Sequence, residues 1–466
     1  MARGRDDASQ APESFYVAHQ KIYAREVTGR FARLRNIAVV VLLGIYYLVP
    51  WIQWEGRQAM LFDLPARKFY IFGITFWPQD FFYMAWLLII AAISLFFFTA
   101  IAGRLWCGYA CPQTVWTEAF MWMERLTEGN HTRRRKLDQA PWSTEKVLRK
   151  GSKQTLWIAF ALWTGITFVG YFSPIRELFG KIATFSLGPW EAFWCLFYGL
   201  ATYGNAGFLR EQVCKYMCPY ARFQSAMFDG DTLVISYDEG RGEPRGGRKR
   251  ALDHKAAGLG DCIDCNMCVQ VCPTGIDIRD GLQIECIACA ACIDVCDSVM
   301  DRMEYPRGLI RYTSDKALKE KRQLRILRPR VMIYGGLLLA LFIGFVVSLG
   351  IRTPVRLDAI RDRNTLYREV AGGEIENVFS LKLLNLDTRS HRYEISVEGP
   401  EGLRLALDSE DLELESGEVR RIPARVMMPR DRLPSAGVEI VFRAQAEDNP
   451  GLEADAESRF LGPAPR

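Results

Sequence analysis

The sequence predicts a multi-domain membrane protein, with an α-helical transmembrane bundle, a small cysteine-rich α+β domain and a C-terminal β-sandwich. Several apolar runs are about 20 residues long, which is the length of a membrane-crossing helix. All 13 cysteines lie between Cys107 and Cys296. Residues 352–466 alternate apolar and polar side chains between turn residues. At 466 residues, the chain is too long for one ordinary domain.

Five runs are long and apolar enough to cross a bilayer as helices. Trp and Tyr gather near the ends of several runs, as they do at membrane interfaces. The fourth run carries Glu191 and several glycines, so its apolar character is weaker than that of the others. The predicted spans are residues 37–54, 81–102, 155–172, 189–208 and 331–351.

The distribution of Lys and Arg predicts the orientation of these spans. Residues 1–36 carry seven of these basic residues and residues 103–154 carry ten, against three in 55–80 and two in 173–188. Because cytoplasmic loops are enriched in Lys and Arg, the first two segments are expected in the cytoplasm. No cleavable signal peptide is visible at the polar N-terminus. We therefore expect a multi-pass protein of a bacterial inner membrane, with residues 209–330 cytoplasmic and 352–466 periplasmic.

Eight cysteines follow the spacing of bacterial two-cluster ferredoxins. The run CIDCNMCVQVCP begins at Cys262, and CIACAACIDVC begins at Cys286. In this pattern three cysteines hold one 4Fe–4S cluster and the fourth holds the other. Structural zinc is the alternative, but zinc sites need four ligands rather than eight in tandem. One set is thus Cys262, Cys265, Cys268 and Cys296, and the other is Cys286, Cys289, Cys292 and Cys272.

Four more cysteines form a repeated motif at the ends of apolar runs. Cys107 and Cys111 lie in CGYACP, and Cys214 and Cys218 lie in CKYMCP. Each copy follows two predicted spans, which indicates an internal duplication. Because proline favours the first turn of a helix, the second cysteine of each pair is expected to cap a new helix, where the pKa of a thiol is lowered.

Convergence of the two repeats would bring these four thiolates together at the membrane surface. Soft sulfur ligands select Cu(I), zinc or iron–sulfur clusters. Two structural pairs, including disulfides, are the alternative. Met121, Met123 and Met217 could add thioethers, although packing explains each of them as well. Cys195 has no sequence partner and is expected to be a packed apolar thiol.

Several other functions are disfavoured by what the sequence lacks. The four histidines lie outside the predicted spans, so haem held by two histidines inside the membrane is not expected. Neither a P-loop nor an HExxH motif is visible. No nucleic-acid partner is expected.

The remaining segments define the domain boundaries. Residues 1–36 form a cytoplasmic segment, 37–230 a four-span domain with both CxxxCP motifs, and 231–260 a basic, Gly-rich linker expected to be mobile. A ferredoxin domain follows over 261–310, then the fifth span over 331–351. The alternation in 352–466 predicts an immunoglobulin-like β-sandwich without a disulfide, serving interaction or placement.

The combination resembles the cytochrome c oxidase accessory protein family (CcoG, FixG or RdxA type). Paired spans with Cys-x-x-x-Cys-Pro, the ferredoxin insert, a fifth span and the C-terminal β-domain cover nearly the whole chain. The resemblance implies a cupric reductase that supplies Cu(I) for assembly of cbb-type cytochrome c oxidase. It implies assembly factors and copper carriers as partners, with an electron donor that the sequence does not name.

The resulting hypothesis has electrons passing from two 4Fe–4S clusters to copper bound at Cys107, Cys111, Cys214 and Cys218. One rival is a quinol-linked polyferredoxin, in which these four cysteines hold a third cluster. Iron content distinguishes the two, at about eight against about twelve irons per chain. A second rival is an oxidase assembly scaffold whose clusters sense redox state.

Overall fold

The computed structural model describes residues 21–54, 56–250, 253–362, 365–370, 373–408 and 412–463. Residues 1–20 of the predicted cytoplasmic segment, including His19, lie outside the described residues. The chain divides into two compact units. One unit contains the chain up to residue 47 with 94–168 and 188–334, and the other contains 48–93, 169–187 and the chain from 335 onward.

Three helices within the described residues are long and apolar enough to span a membrane, namely Arg30–Trp51, Phe81–Ala102 and Pro329–Gly350. Their mean hydropathies are 1.6, 2.5 and 2.4, yet only 11%, 11% and 6% of the most apolar stretch is buried in the protein. Apolar surface of this extent is unfavourable in water, so these helices indicate association with a membrane.

The other two predicted spans fall short of these criteria, so the prediction of five spans is not met. The segment predicted as the third span lies in helix Thr144–Val169, which begins with basic residues such as Lys150 and Lys153. Both of these lysines pair with Glu128. The fourth segment forms helix Pro189–Thr202, only 14 residues long, and then widens into the π-helical turns Tyr203–Leu209.

The first unit is mainly helical. Phe120 and Trp157 pack together in its core, and the carboxylate of buried Glu124 binds Arg134 at 2.8 Å and Arg210 at 3.0 Å. Its further helices and helical turns are Leu105–Tyr109, Pro112–Glu128, His131–Gln139, Val213–Met217, Pro219–Ser225, Glu239–Gly242, Met267–Gln270, Ile278–Asp280, Ala291–Met303 and Asp315–Lys319.

The predicted linker differs from expectation because it is bonded into the cysteine-rich domain. Strand Val234–Tyr237 pairs antiparallel with strand Ile310–Thr313 and so closes the domain. Arg241 binds Asp261 at 2.5 Å. Arg248 donates to the Gly260 carbonyl oxygen at 2.6 Å. The Gly and Arg content that suggested a free linker instead supplies close turns and hydrogen-bond donors.

The second unit combines two small sheets, a short helix and the C-terminal β-domain. Trp77 donates from its ring nitrogen to the Leu386 carbonyl oxygen at 3.3 Å, and Arg352 pairs with Asp80 at 2.5 Å. These contacts fix the strands before helix Phe81–Ala102 to the β-domain. The small elements are Gln53–Trp54, Arg57–Gln58, Met60–Asp63, Lys68–Ile71, Ile74–Phe76, Pro78–Asp80 and helix Ile175–Ala183.

The β-domain is a sandwich of two antiparallel sheets, as predicted. One sheet has the order Arg404–Leu407, Val419–Pro429, Glu374–Asn385 and Val355–Arg361, with Arg368–Val370 also paired to Glu374–Asn385. The other has the order Glu413–Leu414, His391–Glu398, Gly437–Ala446 and Glu453–Leu461. Alternating inward residues fill the core, where the Phe379 and Phe442 rings lie 5.0 Å apart between centroids.

Candidate functional site: a cysteine-rich electron-transfer region

The first predicted cluster set surrounds one small cavity. This cavity is also lined by apolar side chains such as Ile263, Val299 and Leu309. Its cysteines are Cys262, Cys265, Cys268 and Cys296. Three come from the first motif and one comes from helix Ala291–Met303, which is the crossed arrangement that the spacing predicts.

The second predicted set surrounds a neighbouring cavity. The lining is again apolar, with Ile235, Ile276 and Ile278 among its members. Its cysteines are Cys272, Cys286, Cys289 and Cys292, together with Cys268 at the boundary with the first cavity. Thiols around dry cavities fit iron–sulfur clusters, because the protein shields a cluster from water while sulfur ligates it.

The two motifs repeat the same backbone turn. The residues on either side of the second cysteine adopt left-handed conformations in both, with φ of 51° and 53° at Asp264 and Asn266, and 54° and 60° at Ala288 and Ala290. Alanine is strained in this conformation, by roughly 1–2 kcal/mol per residue. Such strain is typical of loops that are shaped for a ligand.

Burial is the largest cause of the raised pKa values of these thiols. It raises the pKa of Cys286 and Cys296 to about 12 and that of Cys268 to about 11. Neighbouring cysteines add to the effect for Cys286 and Cys296. Thiols in such sites lose their protons to a metal, so cluster binding would release protons.

The two Cys-x-x-x-Cys-Pro motifs form similar local structures. Cys111 is the N-cap of helix Pro112–Glu128, and Cys218 is the N-cap of helix Pro219–Ser225. Proline occupies the first helical turn in both, where its missing N–H costs no hydrogen bond. The predicted caps are therefore present.

The structure brings all four of these cysteines into one electrostatic neighbourhood. Cys107 interacts with Cys111, Cys214 and Cys218, and its Sγ lies 3.4 Å from Oε1 of buried Gln224. Convergence is not complete: among the described residues, no three Cys, His, Asp or Glu side chains are close enough to enclose a single metal ion. The four thiols are therefore near one another, but three of them are not close enough to hold one metal ion together.

The predicted lowering of the thiol pKa at a helix cap is wrong for Cys111. Burial raises the pKa of Cys107 to about 12 and that of Cys214 to about 11, and neighbouring thiols raise both further. Burial also raises the pKa of Cys111, although hydrogen bonds from Thr114 and Gln113 oppose it. Desolvation of the thiolate therefore outweighs the helix terminus here.

Arg104 links these cysteines to the second ferredoxin motif. The side chain is 4% exposed, and its guanidinium donates to the carbonyl oxygens of Ile284 and Ala221 and to Ser225 Oγ at 2.5 Å. Cys107, Cys214 and Cys286 all lie within its electrostatic reach. A buried cation is costly unless anions balance it, so metal-bound thiolates on either side suit this arginine.

Gly108 is a second point of close approach between the same two regions. A Cβ at this position would lie 2.8 Å from the carbonyl oxygens of both Ile287 and Ala288. These two residues separate Cys286 from Cys289. Only glycine therefore allows the first CxxxCP motif to lie against the cluster-binding loop.

The first helix also contacts this loop. Asp294 accepts hydrogen bonds from the backbone N–H groups of Phe31 and Ala32 at 3.2 and 2.7 Å, and Arg35 donates to the Cys289 carbonyl oxygen. Sequence reasoning missed Asp294, Arg35, Arg104 and Gly108. The sequence did contain one signal for Arg104. When the two CxxxCP motifs are aligned, Arg104 corresponds to Glu211, so the two copies differ in charge beside cysteines that otherwise match.

The remaining sulfur atoms are distributed differently. Met121 lines a larger cavity together with Cys214, whereas Met123 packs near Phe120 and Trp157. Met217 is 59% exposed. Cys195 is buried in helix Pro189–Thr202, as a packed thiol would be.

Apolar helices joined to paired cysteine-lined cavities of ferredoxin type define a membrane-associated iron–sulfur electron-transfer protein. Family models agree with this class. A "4Fe-4S dicluster domain" matches residues 209–315, and a "4Fe-4S binding domain" matches residues 84–130. A third model, described as "IG-like fold at C-terminal of FixG" and counting FixG among oxidoreductases, matches residues 345–463.

The chain belongs to the FixG/RdxA family. It is 36% identical to "Nitrogen fixation protein FixG" of Rhizobium meliloti, over 96% of this chain and 94% of that protein. It is 37% identical to "Protein RdxA" of Cereibacter sphaeroides, over 95% of this chain and 96% of that protein. It is 41% identical to "Protein RdxB" of the same organism, over 85% of each. A crystal structure of a FixG-related protein from Vibrio parahaemolyticus is 30% identical over 24% of this chain and 97% of its own, with a TM-score of 0.22.

Proposed function

We propose that this protein reduces Cu(II) to Cu(I) at Cys107, Cys111, Cys214 and Cys218, and that the Cu(I) serves assembly of cbb-type cytochrome c oxidase. The observation that supports this proposal most directly is the contact between the first CxxxCP motif and the second ferredoxin motif. Gly108 lies against Ile287 and Ala288, so the candidate copper site and a cluster-binding loop are in van der Waals contact.

The eight ferredoxin cysteines would hold the cofactors. We assign one 4Fe–4S cluster to Cys262, Cys265, Cys268 and Cys296, and the other to Cys272, Cys286, Cys289 and Cys292. When bound, such clusters supply storage and transfer of single electrons. The apolar side chains around each cavity exclude water, and Arg104 and Arg35 place positive charge beside the second set.

Copper is the substrate in this proposal. Each Cu(II) takes up one electron and leaves as Cu(I), so the reaction at the four thiolates requires one electron per ion. Thiolates favour Cu(I) over Cu(II) because they are soft ligands. The nearby Arg104 guanidinium would balance the negative charge of the thiolates.

A third 4Fe–4S cluster at the same four cysteines is the second candidate. One observation favours it: the model described as "4Fe-4S binding domain" matches residues 84–130, which contain only Cys107 and Cys111. A cluster there would need two further ligands, and Cys214 and Cys218 are the cysteines within electrostatic reach. The protein would then be a polyferredoxin that passes electrons from quinol.

The proposed orientation keeps the N-terminal segment and the cysteine-rich region in the cytoplasm and the β-sandwich in the periplasm. Residues 169–187 belong to the same unit as residues 48–93, and Gln58 donates to the Gly170 carbonyl oxygen at 2.7 Å, so this orientation also requires helices Thr144–Val169 and Pro189–Thr202 to cross the membrane. Basic residues in 103–154 support this orientation. The cysteine-rich site would then lie at the cytoplasmic face of the bacterial inner membrane.

The test uses anaerobic, cluster-loaded protein reduced with dithionite and freed from excess reductant. Cu(II) is added, Cu(I) is followed with a chromogenic Cu(I) chelator, and iron is counted in the same samples. The variants are Cys107→Ser with Cys214→Ser, and the matched control is Cys195→Ser, a buried thiol outside both motifs.

Copper reduction by the wild type and the control, lost in the double variant with about eight irons retained, supports the proposal. Loss of about four irons from an initial twelve in the double variant would instead establish the third cluster. Absence of Cu(I) formation by fully loaded wild type would overturn cupric reduction altogether.

A further inference from the structure

A larger cavity lies next to both cysteine regions in the first unit. Its volume is about 290 Å³, which is near the lower end of the range of small-molecule sites. Its walls come from residues 22–36, helix Pro112–Glu128, residues 210–214 and the two ferredoxin motifs. Cys289 and Cys214 both line it, so a molecule bound here touches the ferredoxin domain and the four-cysteine site.

The cavity favours anions. Five arginines and three glutamates line it. Three of the arginines, Arg125, Arg134 and Arg210, pair with carboxylates. Arg25 and Arg35 donate to the Met267 sulfur and the Cys289 carbonyl oxygen instead, and within the described part of the chain neither forms an ion pair with a carboxylate.

Part of the cavity lining is apolar. Val271, Pro273, Ile287 and Ala291 contribute to it from the ferredoxin motifs, and Trp122 contributes an indole from helix Pro112–Glu128. A planar ring system fits between aliphatic and aromatic surfaces, while phosphate or carboxylate groups fit arginine.

We propose that this cavity binds a phosphate-bearing flavin of the flavin mononucleotide (FMN) type. The choice of flavin rests on the proposed electron-transfer function, because a flavin releases single electrons whereas a nicotinamide releases hydride. A reduced flavin loses two electrons and two protons in total. The two proposed 4Fe–4S clusters accept one electron each, and the protons leave to water at the open mouth.

The experiment measures binding of FMN to the full-length, iron-loaded protein in detergent under anaerobic conditions. Quenching and anisotropy of flavin fluorescence report binding, and riboflavin is the matched ligand without phosphate. Arg25→Gln removes an exposed arginine of the cavity wall. Arg33→Gln is the matched control, because Arg33 is also exposed but lies outside the cavity lining.

We expect saturable FMN binding, at least tenfold weaker binding of riboflavin, and at least tenfold weaker FMN binding in Arg25→Gln with unchanged iron content. Arg33→Gln should match the wild type. The flavin site is overturned if FMN does not bind, if riboflavin binds equally well, or if the two variants behave alike.

The outcome is separable from that of the copper assay, in which dithionite supplies the electrons. Cupric reduction without FMN binding overturns the flavin site alone. FMN binding without cupric reduction overturns the copper proposal and leaves the flavin site supported.

Discussion

Replacement of Gly108 by alanine tests the contact on which the electron-transfer site depends. The added Cβ would lie 2.8 Å from two backbone carbonyl oxygens, about 0.6 Å inside ordinary contact at 3.4 Å. Because both atoms belong to the loop between Cys286 and Cys289, the clash cannot be relieved by rotation of a side chain. Overpacking of this kind costs about 1–3 kcal/mol, and the gain from replacing a helical glycine recovers only about 0.5–1 kcal/mol.

The expected result is therefore net destabilisation that is concentrated at the second cluster-binding motif. Gly108→Ala should lose roughly four of about eight irons more quickly under challenge with an iron chelator. Gly151→Ala is the matched control, since Gly151 is also helical and a Cβ there meets nothing within 4 Å. Iron content, the electron paramagnetic resonance (EPR) spectrum of the reduced clusters and the thermal midpoint are measured in parallel. If Gly108→Ala matches Gly151→Ala in all three, the two motifs do not pack together as described.

Three further predictions follow from the site and the β-sandwich. Cys272→Ser should abolish the EPR signal of the cluster assigned to Cys286, Cys289 and Cys292 and spare the other; loss of the other signal would refute the crossed assignment. Arg104→Gln should lower the midpoint potential of that same cluster by an amount on the order of tens of millivolts, since a buried positive charge favours the more negative reduced state. The midpoint potential of Arg104→Lys should lie between those of the wild type and Arg104→Gln, and the potential of Arg302→Gln, a control at an exposed arginine, should equal that of the wild type. An unshifted potential in Arg104→Gln would contradict the electrostatic role of Arg104. In the β-sandwich, burial lowers the pKa of His391, but hydrogen bonds to Asp387 and Asp448 outweigh it and raise that pKa overall. The stabilisation is thus complete below the ordinary pKa of about 6.5 and is lost as the pH rises through the raised value. Calorimetry of the full chain should show that the unfolding temperature of the β-sandwich falls as the pH rises over that range in the wild type, and that it depends less on pH in His391→Gln. Equal dependence of the unfolding temperature on pH in the two proteins would rule this account out.

The sequence anticipated features that depend on short-range spacing. The grouping of Cys272 and Cys296 around opposite cavities, the helix caps at Cys111 and Cys218, and the strands of the C-terminal sandwich all follow from local pattern. Arg104 and Gly108 could not be recognised in this way. Their roles depend on contacts with Ile284 and Ala288, about 180 residues further along the chain.

Two predictions differ from the structure for physical reasons. The helix that contains most of the predicted span 155–172 begins at Thr144 with polar turns, in which Lys150 and Lys153 pair with Glu128, so that helix does not meet the criteria of length and composition. The expected acidity of the capping thiols did not allow for the burial of Cys111, and desolvation sets the direction of its pKa change.

The crossed pattern of cysteines also constrains how the protein can be made. Neither cavity has its full set of thiols until the ribosome has synthesised the second motif, because Cys296 completes the first cavity. The four-cysteine site likewise draws its halves from either side of helices Thr144–Val169 and Pro189–Thr202. A nascent chain that halts before Cys296 therefore lacks one thiol of the first cavity and cannot hold a cluster there with four cysteines. Maturation of the metal centres would thus act as a checkpoint that only correctly folded chains pass.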